Sequence, residues 1–159
     1  MVRFIEETAQ WKEYVSGNAK NPDLLQEALK QAFLDIDGAL RIHQKATYAI
    51  ATDHSGCTSV TAMITPNYII CANAGDSRCV MGTNSKAKAM SEDHKPNNEL
   101  EQRRIESAGG RVQWKRVDGD LAVSRGLGDF QYKTRGDLGP TEQKVSFPQI
   151  GLKYNCLIA

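Results

Sequence analysis

Apolar residues recur at helical spacing over about the first forty residues and at alternate positions after them, and that change of period marks out the elements. Phe4, Trp11 and Val15 share one face of a predicted first helix, about Val2 to Val15, with Gly17 as its stop. A second helix is predicted from Pro22 to about His43. Asn21 can cap it, Pro22 suits its first turn, and Asp23 sits at the positive end of its dipole. Leu25, Leu29, Ala32, Phe33, Ile36 and Leu40 form an apolar stripe along it, so it must pack on another layer.

From Thr58 to Ile64 the period shortens to two: Val60, Ala62 and Ile64 fall on one face, Thr61 and Met63 on the other. Tyr68–Ala74 is apolar on both faces, the mark of a strand covered on both sides. Pro66-Asn67 between them supplies turn chemistry, which predicts an antiparallel hairpin. Arg78–Met81 and Lys86–Met90 are predicted short strands around the turn Gly82-Thr83-Asn84-Ser85. A third helix is expected from Glu99 to Ala108, with Asn98 and Glu101 as a capping box and Gly109 as its left-handed stop. Its apolar positions are only Leu100, Ile105 and Ala108, so it is placed on the surface. Arg111–Val117 and Leu121–Ser124 complete the prediction as strands around Asp118-Gly119. The order of elements implies an α+β layer fold, with helices outside antiparallel sheet.

At 159 residues the chain suits one domain with a usable core. A net charge of +1 gives no general attraction to nucleic acid or an anionic membrane. No apolar run has the length of a membrane span, and the acidic N-terminal decapeptide is unlike a secretion signal. Cytoplasm or nucleus is therefore the expected location. Cys57, Cys71, Cys79 and Cys156 form no CxxC pair and are read as reduced, small apolar groups.

Asp76 follows the most apolar strand and sits beside Gly75 on a turn. That position suits a metal ligand or an acid-base group, and equally a turn aspartate that bonds the next amides and meets Arg78. Asp35-Ile36-Asp37-Gly38 mimics the start of a calcium loop but lies inside the strongest helix, where a solvated face is expected. Asp53, Asp93, Asp118, Asp120 and Asp129 are scattered over turns. His43, His54 and His94 share no ligand spacing. Arg125 and Asp129 are expected to pair within a Gly-rich turn.

SGCTS (Ser55–Ser59), GDSR (Gly75–Arg78), DHKP (Asp93–Pro96), the helix ending in AGG (Ala108–Gly110), RVDGDLAVSR (Arg116–Arg125) and GLGD (Gly126–Asp129) occur in that order. Together they resemble the metal-dependent Ser/Thr protein phosphatases of the PP2C (PPM) family. The likeness runs from Asn21 to GPTEQ (Gly139–Gln143), and Cys57 stands where that family usually has Ser or Thr. It implies a partial PP2C-like α-β-β-α sandwich over residues 1–145, followed by a divergent tail, 146–159. It also implies Mg²⁺ or Mn²⁺ as cofactor of the complete domain, with Asp76 on a peripheral metal site and His94 as a structural turn residue. The segment from Asp93 to Arg116 resembles the flap beside the active site, in which Lys95 and Arg116 would meet substrate. That basic stretch favours phosphoprotein approach, or is a solvated helix with ordinary ion pairs such as Glu101 with Arg104.

The family's DGHGG, DGLWD-like and DN motifs, which supply most of its metal ligands, do not occur in this sequence. The expectation is a Ser/Thr phosphatase lineage whose present chain is truncated and inactive alone. The alternative is a non-catalytic pseudophosphatase that binds phosphoproteins or regulatory proteins. A partial sandwich would also leave sheet edges open to self-association.

Overall fold

The computed structural model describes residues 1–17, 21–47 and 54–155. The predicted first helix is two helices, α1 (Val2–Glu7) and α2 (Ala9–Ser16). The break is at Thr8, which is extended; its Oγ1 accepts the Trp11 amide at 3.1 Å and so caps α2. Gly17 ends α2 in an extended conformation rather than a left-handed one. The long helix α3 runs Pro22–Thr47, one turn beyond its predicted end, and Asn21 Oδ1 accepts the Asp23 amide at 3.0 Å.

Two-residue β1 (Gly56–Cys57) precedes β2 (Ser59–Ile64) and β3 (Tyr68–Ala74), which pair antiparallel from Ser59↔Ala74 to Ile64↔Ile69. The Pro66-Asn67 turn is closed by the Thr65 amide on the Tyr68 carbonyl at 2.8 Å. β4 (Val80–Thr83) and β5 (Lys86–Ala89) form a second hairpin, with Asn84 and Ser85 both at positive φ. Helix α4 (Glu99–Ser107) follows, and Gly109 stops it at φ 80°. β6 (Val112–Gln113) and β7 (Arg116–Val117) make a short hairpin whose tip is Trp114-Lys115, not Asp118-Gly119. Leu121–Ser124 forms no strand; Leu121 makes only a bridge to Val117. β8 (Leu127–Gly128) returns to pair with β1. β9 (Gln149–Asn155), from the segment expected to diverge, adds to the free edge of β3, giving the order β2-β3-β9.

The core lies between the helices and one face of this sheet. Leu25, Leu29 and Phe33 of α3 meet Ile70, Ala72 and Ala74 of β3, with Ile5 and Tyr14 from α1 and α2. The alternation of β2 follows: Met63 packs on that cluster, while Val60, Ala62 and Ile64 face away and are exposed. A second cluster, Ile105, Val117, Tyr132 and Val145, holds α4 to the segment after it. The result is the mixed helix and antiparallel-sheet architecture expected from the sequence. No helix among the described residues is long and apolar enough to cross a membrane.

Candidate functional site

The apolar strand β3 delivers the Gly75-Asp76 turn to a rigid end. Gly75 has φ 117°, and a Cβ built on it would lie 2.3 Å from Thr58 Cγ2, so only glycine lets the two chains pass. His94, 3% exposed, clasps the turn: its amide donates to the Gly75 carbonyl at 3.0 Å, and its Nδ1 accepts the Gly75 amide at 3.2 Å. It is thus a turn residue. Asn73 Nδ2 donates to the carbonyls of Gly75 and Glu92, at 3.1 and 2.8 Å.

Asp76 does not meet Arg78. Its Oδ2 is ion-paired with Lys95 Nζ, with both side chains partly exposed. Arg78 instead holds Asp93 through two bonds of 2.9 Å, and that guanidinium fork draws the Asp93 carboxyl below its ordinary range. Two of the three residues singled out for chemistry, Asp76 and Lys95, are therefore in contact. The third, Arg116, lies on β7, where its guanidinium donates to the Asp120 carbonyl.

Helix α4, within the segment likened to a flap, is anchored by a charge cluster that the sequence pattern placed at the surface. Glu101 is 4% exposed, whereas Leu100, one of the three apolar positions of that helix, is 75% exposed. Arg125 forks onto both Glu101 oxygens, with Nη2–Oε1 at 2.6 Å, and Arg104 Nη1 reaches Oε2 at 2.7 Å. Glu101 therefore makes no capping box; Asn98 Nδ2 donates to the Asp93 carbonyl instead, and no side chain caps α4. Burial pushes the Glu101 carboxyl up, but the hydrogen bond from Arg125 and the charges of Arg104 and Arg125 outweigh it and hold the group at about 2. Arg125 is thus the partner of Glu101 rather than of Asp129.

Nor is Asp37 on a solvated face. It is 2% exposed and accepts the Gly128 amide at 2.8 Å and Lys133 Nζ at 2.9 Å. Its position offered a signal, since it falls four residues after Phe33 on the apolar stripe of α3. Asp129 is also buried, and desolvation raises its carboxyl pKa against the pull of Lys133. Cys71 and Cys79 are buried or half-buried as expected, but Cys57 is exposed. Asp53 and Cys156 lie outside the described residues.

These acids do not converge. Among the described residues, no three of His, Cys, Asp and Glu gather closely enough to hold a metal ion. A Mg²⁺ ion takes about six oxygens, and the Asp76 turn presents one carboxylate already engaged by an ammonium. The described residues therefore do not fit a two-metal centre.

The model of the family "Protein phosphatase 2C" matches residues 4–150. "Protein phosphatase 2C homolog 2" of Schizosaccharomyces pombe is 48% identical over 126 residues, which are 78% of this chain and 33% of that protein. Human "Protein phosphatase 1A" is 42% identical over 131 residues, 82% of this chain and 34% of its own length. Among solved structures, a serine-threonine phosphatase 2C from Toxoplasma gondii superposes with a TM-score of 0.76 at 21% identity, covering 99% of this chain and 57% of that one. A C. elegans sex determining protein gives a TM-score of 0.69 at 20% identity, covering 95% and 36%. The chain belongs to the protein phosphatase 2C family, a serine/threonine phosphatase lineage that is generally metal-dependent, and it spans about a third of the length of these curated relatives.

Proposed function

We propose that this chain carries the substrate-approach side of a Ser/Thr phosphatase site and binds phosphoserine or phosphothreonine proteins without hydrolysing them on its own. One observation carries this reading: the carboxylate at the end of β3 is neutralised by Lys95 instead of joining other acids. A catalytic metal pair needs several converging carboxylates to hold and activate water. In a complete family domain Asp76 would be one ligand of a peripheral Mg²⁺ or Mn²⁺, which stands apart from what this chain does alone.

Lys95 is the residue placed to act. Its side chain is 42% exposed, so a phosphate dianion can compete with Asp76 for the ammonium. Arg116, with Arg111 and Lys115 beside it on the exposed hairpin, would extend the basic approach to the flanks of a phosphopeptide. Phosphoproteins or regulatory proteins are the proposed partners, in cytoplasm or nucleus.

Titration with a fluorescent phosphothreonine peptide tests this reading. The expected result is saturable binding that weakens with salt and in Lys95→Ala, and no phosphate release in Mn²⁺. Equal affinity for the unphosphorylated peptide would overturn the binding role. Phosphate release that disappears in Asp76→Asn would overturn the non-catalytic one.

A further inference from the structure

Away from the Asp76 turn, α3 and residues 133–147 border an open pocket of about 300 Å³. Leu34, Leu138, Pro140 and Phe147 give it apolar walls, and Asp37 and Arg41 give it opposite charges. The two are spaced i, i+4 on α3, so both side chains project from one face of the helix. A small apolar pocket with a few convergent polar groups is the usual form of a ligand site.

The hydrogen bonding of Asp37 is lopsided. Both of its donors, the Gly128 amide and Lys133 Nζ, bond to Oδ1. No hydrogen bond to Oδ2 is present among the described residues. Nor is Oδ2 sealed in: Asn73 Oδ1 is the one partnerless side-chain N or O atom among the described residues that is fully closed off. Asp37 thus keeps a carboxylate oxygen without a hydrogen bond on a side chain only 3% exposed, and the residue lines the cavity.

Lys133 cannot turn to a ligand, because its ammonium also bonds the Gly126 carbonyl at 2.8 Å and sits 4.7 Å from the centre of the Phe147 ring. Arg41 has donors to spare. One nitrogen reaches the Lys133 carbonyl at 3.1 Å, and the guanidinium lies 4.3 Å over the Phe130 ring, which fixes its orientation.

The complement of this cavity carries an anion for Arg41, a hydrogen-bond donor for Asp37 Oδ2, and an apolar arm for the walls. An α-amino acid with a branched aliphatic or aromatic side chain holds all three on one carbon. We propose that this cavity binds such a free amino acid, its carboxylate on Arg41, its ammonium on Asp37 and its side chain among Leu34, Leu138, Pro140 and Phe147. The site is independent of the phosphoprotein reading.

Gly38 provides a test that spares the ion pair. It lines the cavity, and a Cβ built on it meets nothing within 4 Å. Gly38→Leu therefore adds apolar bulk beside the cavity from a Cβ position with open space around it, and it favours the helix. The measurement is NMR titration of the full chain, with thermal melting in parallel. L-leucine or L-phenylalanine should bind saturably at millimolar concentration and raise the Tm. N-acetyl-leucine, which lacks the ammonium, and leucinamide, which lacks the carboxylate, should each bind about tenfold more weakly or worse, as loss of a charge-assisted hydrogen bond implies. Arg41→Gln should show the same loss, and folded Gly38→Leu should not bind. Absence of saturable binding to the folded wild type, equal binding of leucinamide, or undiminished binding in Gly38→Leu would each overturn the assignment.

Discussion

Lys133 and Asp37, ninety-six residues apart, form an ion pair at 2.9 Å with side chains only 1% and 3% exposed. The pair fastens the segment after the flap to the middle of α3. Burial lowers the Lys133 pKa, and the Asp37 charge opposes that shift. Lys133→Met would leave a carboxylate buried with no countercharge. The expected loss is about 3–5 kcal/mol in urea unfolding. Asp37→Leu combined with Lys133→Met should recover most of it, because the penalty belongs to the unpaired charge. Additive losses in the double variant would contradict this account.

Glu101 makes stability depend on pH. A glutamate carboxyl ordinarily titrates at 4.5, and that of folded Glu101 titrates at about 2. Between those values the unfolded chain binds more protons, so stability is full above pH 4.5 and falls as pH drops toward 2. The contribution is on the order of 3 kcal/mol, since the side chain is nearly fully buried. Stability measured at successive pH values should therefore fall more steeply in the wild type than in Glu101→Gln. Parallel curves would remove Glu101 as the cause.

Gly56 is required by a side chain, not by its own backbone angles. A Cβ there would lie 2.1 Å from Asp129 Oδ2, and Asp129 is only 7% exposed, so its carboxylate must move within packed surroundings. Gly56→Ala should cost about 1–3 kcal/mol through overpacking. Asp129→Gly removes the carboxylate at a position whose φ of 50° glycine tolerates, so Gly56→Ala combined with Asp129→Gly should be more stable than Gly56→Ala alone. Chemical denaturation checks the order.

The motifs and the helical and strand periods carried most of the fold. The β2-β3 hairpin, the β4-β5 hairpin and the stop at Gly109 are encoded by neighbours in sequence, and those signals are local. What local pattern missed depends on distant charges. Glu101 looks like a surface or capping residue until Arg125 folds over it, and Asp37 looks solvated until Lys133 arrives from the other end of the chain. The split of the first helix turned on one hydroxyl, Thr8, at a place where apolar spacing alone continues smoothly. At the candidate site the pattern identified Asp76 and Lys95 separately. Their contact could not be read from it, because DHKP is brought to GDSR by the His94–Gly75 clasp and the Arg78–Asp93 fork, which local pattern does not show.

β2 leaves an edge. Ile64 is 71% exposed and Val60 37%, both on the face turned away from the helices. Concentration-dependent association through this surface is expected. Ile64→Lys should reduce it with little change in stability, since the side chain is already in solvent. Sedimentation velocity over a range of concentrations measures both. A wild-type chain that stays monomeric throughout would count against association.

Asp76 is a strand-end carboxylate paired with the Lys95 ammonium, and it belongs to no cluster of three potential metal ligands among the described residues. Calorimetric titration of the full chain with Mn²⁺ tests this most directly. The expected result is almost no saturable heat and no stoichiometric end point, as one carboxylate supplies too few oxygens. Tight binding with integral stoichiometry, lost in Asp76→Asn, would contradict it.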